Sequence, residues 1–282
     1  MNTLRCALAW VIIVWYSFPG KLREACGYSR QRTEHYPMLR VFKRFGSYPV
    51  TITYPNPLTW QPLTLSLNLC RNTDLWHFRS RARYEAAFIH QARRLLRETK
   101  ATTFVDVGAN IGIWSITLAQ AMPNLRVEAV EPISAHLNTL GKNATRPITV
   151  HQCVCADKEG VFHFYENPVN NGDGSLWREQ VASCSQLQED STIPWRIVRG
   201  IPLDALLQES SVVKIDVQGA ELAVLHGAKE SLRDGRMAGF ICEVLASQKT
   251  AVLEFLEMHP YHIQVIGGPN VYTMIGQRQE AA

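Results

Sequence analysis

One nine-residue stretch limits what this chain can fold into: Phe104-Val-Asp-Val-Gly-Ala-Asn-Ile-Gly112. A short apolar, β-branched run reads as a buried strand, here Thr103–Val107. Gly108 and Gly112 let the backbone turn sharply and approach a ligand closely. From Ile113 to Met122 the pattern turns helical, and the free N–H groups of that first turn face whatever the loop holds. Asp106 sets a carboxylate beside the loop, which suits an ammonium or hydroxyl and repels a bare pyrophosphate. A dinucleotide fingerprint starting at Gly108 needs Gly at 110 and Gly or Ala at 113. The chain has Asn110 and Ile113, and it has no GKS/T phosphate loop.

Beyond this unit, strands and helices alternate. Strands are expected at Arg126–Val130, Thr149–Val154, Val161–Tyr165, Val212–Val217 and Ala238–Val244. Helices are expected at Ser134–Lys142, Leu203–Gln208, Glu221–Leu232 and Thr250–Met258, with a last hairpin through Tyr261–Ile266 and Val271–Ile275. Such alternation predicts an α/β fold, a mostly parallel sheet with helices on both faces. Ligands of these sheets bind beyond the carboxyl ends of the strands, where the strand order reverses. Upstream, Pro, Arg and aromatic residues dominate, with strands expected at Val50–Tyr54 and Leu63–Leu69. Phe88, Ala92, Leu95 and Leu96, with Tyr84, form a helical stripe across 81–100. The expected division is an apolar segment 1–20, a basic lead-in 21–80, a main domain 81–276 and a polar tail 277–282.

Charge is uneven along the chain. Residues 1–100 hold 16 Lys+Arg against 5 Asp+Glu, and the remainder 13 against 20. A basic amino-terminal region could meet a membrane surface or an anionic partner, or form a solvated basic face. The apolar run 6–18 is too short for a comfortable span, which needs ~20 residues. No A-x-A-like cleavage site follows it. A buried helix, an interfacial anchor and an uncleaved signal stay open. If the run touches lipid, Lys21, Arg23, Arg30 and Arg32 place the downstream chain on the cytoplasmic side. The expected location is therefore cytoplasmic, with membrane association through residues 6–18 as an option. Seven cysteines without a CxxC pair suggest buried thiols in a reducing compartment. Nothing points to nucleic acid as a partner.

Three acidic positions and one polar cluster could carry chemistry. Glu131, at the end of the strand in Val127-Glu-Ala-Val-Glu-Pro132, can accept hydrogen bonds from both hydroxyls of a ribose, or serve as a first-turn helix acid. Asp157 follows a strand end and could meet an exocyclic amine, or be a turn residue in Ala-Asp-Lys-Glu-Gly160. Lys214 and Asp216 are charges on one face of an apolar strand, and such charges need partners or an opening. Gln218, Gly219 and Glu221 follow at the strand-to-helix turn.

Together these segments resemble the FkbM-type family of S-adenosylmethionine-dependent methyltransferases. The likeness runs from about Tyr84 to Ile275, through VDVGANIG (105–112), VEAVEP (127–132), CADKEGVFHFYE (155–166), NNGDGSL (170–176), IPLDALL (201–207) and KIDVQGAELAVLHGA (214–228). The resemblance implies a class I, Rossmann-like sheet of seven strands with the last one antiparallel, preceded by a small amino-terminal extension. It also implies that Asp106, Gly108 and Asn110, with Gly112 in the same loop, hold the methionine part of S-adenosyl-L-methionine. Glu131 would hold the ribose and Asp157 the adenine. Asp216 would lie near the methyl group and the acceptor, with Lys214 and Glu221 shaping that site. Glu243 would face the same cleft. Gln218 stands where such proteins often carry Glu, and a neutral amide makes a poor base.

The implied reaction is methyl transfer to a hydroxyl of a sugar, glycolipid or polyketide-like molecule. Alignment supplies much of the barrier reduction, and a base takes the hydroxyl proton. Asp216 is the first choice for that base, then Glu243, then His226, which five residues into a helix is expected to face away. Asp216 could ligate Mg²⁺, but no second ligand is evident, so no metal is expected. Trp60, Trp76, Trp177 and Trp195 could stack on a sugar or simply pack. The rival readings are an NAD(P)-linked oxidoreductase, opposed by Asn110 and Ile113, and a non-catalytic binding domain.

Overall fold

Seven strands line up in one sheet whose order reverses midway. They are β3 (Thr103–Val107), β4 (Arg126–Val130), β5 (Thr149–His151), β9 (Ser211–Ile215), β10 (Met237–Leu245), β11 (Tyr261–Gly267) and β12 (Val271–Arg278). The order is β11-β12-β10-β9-β3-β4-β5. Neighbours pair in parallel except β12, which runs antiparallel to both β10 and β11. This is the class I methyltransferase arrangement. From β3 the chain winds outward through β4 to β5, then returns to β9 on the other side. The reversal therefore falls between β3 and β9, and Val107 and Ile215 end side by side there. The computed structural model describes residues 49–71, 73, 74, 77, 85–168, 170–185 and 192–279. The run 6–18, the basic residues after it, Cys6, Cys26, Trp76 and Tyr84 lie outside the described residues. Among those described, no helix is long and apolar enough to cross a membrane.

Period-two alternation sorts side chains onto the two faces. Val105, Val213 and Cys242 pack on one face with Val224, Leu232, Val252 and Leu256. Those four come from α5 (Glu221–His226), α6 (Lys229–Asp234) and α7 (Lys249–Glu257). Phe104, Val212 and Ile241 pack on the other, with α1 (Ala86–Glu98) and α2 (Ile113–Ala121). Asp106, Lys214 and Glu243 lie two residues further along, so they share the α1/α2 face. Phe104 is fully buried, and truncating such a ring costs about 3–5 kcal/mol. The hairpin of β1 (Pro49–Pro55) and β2 (Pro62–Asn68) buries Tyr54, Leu63, Leu65 and Leu67 in this same core. Asn56 ties it to α2 by donating to the Thr117 carbonyl at 3.1 Å. Part of the lead-in is thus a layer of the main body.

Some expected elements break, for local reasons. The strand expected at Thr149–Val154 splits into β5 and β6 (Val154–Cys155). Its partner β4 ends opposite His151, and the chain passes to a second sheet, ordered β6-β8-β7, with β7 at Gly160–Tyr165. The strand β8 (Trp195–Ile201) and the helix α4 (Arg178–Ser185) were not legible, because charged and polar residues interrupt their apolar pattern. The helix expected at Glu221–Leu232 divides at Gly227. A Cβ there would sit 2.0 Å from the Ala156 carbonyl oxygen, and the Gly227 carbonyl accepts the Asp204 N–H instead of continuing the helix. The Asp204 carboxylate then accepts from the N–H groups of Glu230 and Ser231 in α6. Leu203–Gln208 is correspondingly only a single 3-10 turn, Leu203–Ala205. At the far end β12 runs past residue 276 to Arg278.

Candidate active site

Two cavities open where β3 and β9 end, and Gly108, Asn110 and Asp216 belong to both walls. Gly108 makes this close approach possible. Its φ is +75°, and an added Cβ would lie 1.9 Å from the Asp216 carbonyl oxygen. Gly112, at φ +81°, caps α2 and packs on Leu140 of α3 (Ser134–Asn143).

The first cavity encloses about 610 Å³ of empty space, part of it open to solvent. Glu131 lines it and is only 5% exposed. The Asn110 N–H donates to its Oε2 at 2.9 Å and the Ile133 N–H to its Oε1 at 2.9 Å. A carboxylate has about four lone-pair sites, so capacity remains for hydroxyls in the cavity. His136 Nδ1 sits 3.3 Å from Glu131 Oε1, and His136 Nε2 lies 2.9 Å from the Asn171 side-chain nitrogen. With the Asn171 amide donating to Nε2, the Nδ1 proton points at Glu131. This relay ties the 170–174 loop to α3 across the cavity. Ile133, Val154, Phe164 and Leu176 form an apolar wall that suits a flat ring.

The second cavity, about 780 Å³ with its open part, lies on the α1/α2 face. Lys214 is its centre. The ammonium donates to the Gly108 carbonyl at 2.8 Å and pairs with Asp106 Oδ1 at 3.3 Å and Asp216 Oδ2 at 3.6 Å. Ser115 donates to the other Asp106 oxygen at 2.7 Å, and Gln218 Nε2 to Asp216 Oδ1 at 2.7 Å. Burial alone would lower the Lys214 pKa, but Asp106, Asp216, Glu85 and Glu243 outweigh it and hold the pKa above the ordinary lysine range. Glu85 and Glu243 face the same space. Burial, with Asp216 and Asp106 adding to it against Lys214, pushes Glu85 up to about 7. The Asp216 charge, then burial, pushes Glu243 up to about 8.

The family described as "Methyltransferase FkbM domain" matches residues 106–264, more than half of the chain. This chain belongs to the FkbM methyltransferase family. It is 25% identical over 173 residues to Methyltransferase 1 of Beauveria bassiana (strain ARSEF 2860), covering 52% of this chain and 68% of that one. It is 25% identical over 155 residues to Methyltransferase sdnD of Sordaria araneosa, covering 45% of this chain and 60% of that one. The chain thus spans less than two thirds of the second relative. The human protein described as methyltransferase 10 domain containing protein superposes with a TM-score of 0.41 at 12% identity, over 69% of this chain and 80% of that one.

In this family member the expected residues do not all reach a cavity. Gly108, Asn110, Glu131, Asp216 and Gln218 line the first, and Lys214 and Glu243 the second. Asp106 is buried behind Lys214, committed to Lys214 and Ser115. Its side chain lines neither cavity, so any effect on a ligand would run through Lys214. Asp157 is exposed and lines a separate open cleft with Trp177, His226 and Lys229. It does not line the first cavity; the Ala156 N–H before it is taken by the Ile201 carbonyl. Cys153–Cys155 themselves form that end of the first cavity. Glu221 points into its own turn, accepting the Gly219 and Val217 N–H groups at 2.9 and 3.3 Å, and burial pushes it up to about 7. His226 packs edge-on against Phe255, away from both cavities. Trp177 and Trp195 are partly exposed and Trp60 largely so, whereas Trp114 lines the second cavity. The sequence reading missed Glu85, His77, His136 and Asn171. NNGDGSL marked Asn171 as family-like without a role, and no local pattern marked the other three.

Proposed function

We propose that this family member uses S-adenosyl-L-methionine to methylate a hydroxyl of a small molecule, of the sugar, glycolipid or polyketide-like class. The observation carrying this reading is the wall shared by the two cavities at Gly108, Asn110 and Asp216. The residues present fit the cofactor. Glu131 keeps lone pairs for the ribose diol, and the Ile133–Phe164 wall suits the adenine. Asn110 Oδ1 is buried with no partner and lines both cavities, so it suits the amino-acid end. Bound there, the cofactor supplies an electrophilic methyl group whose leaving group is a neutral thioether.

The remaining work falls to the chain's own side chains. Asp216 orients the acceptor hydroxyl and takes its proton, held in place by Lys214 and by the Gln218 amide. Glu243, raised to about 8, is mostly protonated at neutral pH and so donates a hydrogen bond better than it accepts a proton. Lys214 keeps the loop carbonyl of Gly108 and both aspartates in one geometry, which is the alignment this chemistry depends on. The partner is a small molecule, and membrane contact through residues 6–18 is part of this proposal.

Calorimetry with S-adenosylhomocysteine and with NAD tests the cofactor: binding of the first alone is expected, and binding of NAD alone would overturn the reading. Asp216→Asn tests the base. Its kcat should fall by about 10²–10⁴ with S-adenosylhomocysteine affinity unchanged, and undiminished turnover would remove Asp216 from the mechanism.

A further inference from the structure

Resting on the methyl-transfer reading, we infer that the acceptor taken by the second cavity is a cationic amine that also carries the hydroxyl, such as an amino sugar or an aryl-alkylamine. Glu85, Asp216 and Glu243 line this cavity from three separate elements, and Asp106 lies directly behind Lys214. Among the described residues Lys214 is the one Lys or Arg on the wall, and its ammonium is already committed to Asp106, Asp216 and the Gly108 carbonyl. Among the described residues four carboxylates thus share the charge of Lys214. Burial first, and then the neighbouring carboxylates, raise Glu85, whereas the Asp216 charge is the first cause for Glu243. A bound ammonium would draw both glutamates toward their charged form and be held by them, which a neutral polyol could not do and an anionic acceptor would oppose.

A second observation points the same way. His77 lines the cavity, is 5% exposed, and its Nδ1 has no hydrogen-bond partner, lying 4.0 Å from Glu85 Oε1. Burial pushes its pKa down to about 4, so the imidazole is neutral and supplies none of the missing charge. A buried ring nitrogen without a partner is costly, and an N–H or O–H of the acceptor would satisfy it. Phe88, Trp114 and Ile241 give the cavity an apolar side for the acceptor's carbon skeleton. In this arrangement Asp216, common to both cavities, serves the hydroxyl, and Glu85 and Glu243 hold the ammonium.

The test uses the full chain with S-adenosylhomocysteine present. Affinities are measured for two matched pairs, tyramine against 4-ethylphenol and glucosamine against glucose. In at least one pair the amine should bind ten-fold or more tightly than its neutral partner. Glu85→Gln and Glu243→Gln should each weaken that amine about ten-fold, and Glu85→Gln should leave the neutral partner unchanged. Equal affinity within both pairs, or no binding of either amine, overturns the inference. Binding of S-adenosylhomocysteine, read in the same samples, separates this failure from failure of the cofactor reading. Melting curves of the two glutamine variants verify that they are folded.

Discussion

The first cavity settles its carboxylate locally, whereas the second leaves its carboxylates to one another. Glu131 receives two backbone N–H groups, one from Ile133 in its own turn and one from Asn110 in the β3–α2 loop, and no Lys or Arg lines its wall among the described residues. Glu85, Asp216 and Glu243 line the wall with Lys214; burial raises Glu85 to about 7, and the Asp216 charge, then burial, raises Glu243 to about 8. Backbone N–H groups can fix a charge without any counter-ion. Side-chain pairing needs partners from distant strands, and it balances only when their numbers match. In the proposed reading the first side holds the cofactor, and the second offers carboxylates to the acceptor.

The strongest way to break this contrast is to remove the lone cation. Lys214→Met should destabilise the fold by about 3–5 kcal/mol, because Asp106 is left charged and buried; urea unfolding measures it. A loss under about 1 kcal/mol would mean that Ser115 alone settles Asp106.

Next comes the other side. Glu131→Ala should weaken S-adenosylhomocysteine binding by about 1.5–3 kcal/mol, roughly ten- to more than a hundred-fold, in calorimetry. Because Glu131 does not line the second cavity, amine binding there should hold; parallel losses would show that the two regions are not separable.

A smaller effect separates them by pH. Glu85 and Glu243 have folded pKa values of about 7 and 8, above the ordinary glutamate value. The folded state then binds more protons than the unfolded chain between about pH 4.5 and 8, so stability falls as pH rises through that window. Glu243→Gln removes part of this fall. Its melting temperature should exceed the parent's at pH 8.5 by roughly 2–4 °C and match it near pH 4.5. A pH-independent difference would mean that Asp216 does not raise Glu243.

The smallest effect concerns Asp157. On an exposed turn outside both cavities, Asp157→Ala should change S-adenosylhomocysteine affinity by no more than about 0.5 kcal/mol. A large loss would return it to the cofactor side.

What was readable followed from short-range rules. β3, β4 and β10 lie within a residue or two of where apolar runs and turn residues place them, and two-residue alternation puts Lys214 and Asp216 on one face. The sequence places the Asp106 carboxylate beside the loop, but that it is buried and faces Lys214 depends on another strand. Asp157 falls outside both cavities because β5 ends opposite the end of β4 and the chain then pairs with β8, which no pattern in residues 149–157 shows. Gly227 broke a well-patterned helix because Ala156 lies against it.

By itself the sequence determined the βα units, the glycine turn, the family and the acidic residues that end the strands, since each rests on residues a few positions apart. Only the tertiary structure decided which of those acids share a cavity. Glu85 and His77 enter the site from outside the strand pattern, and Asn171 reaches His136 across 35 positions. A carboxylate's charge is a property of its residue type. Whether that charge is satisfied depends on the count of donors and cations that folding brings within a few ångströms.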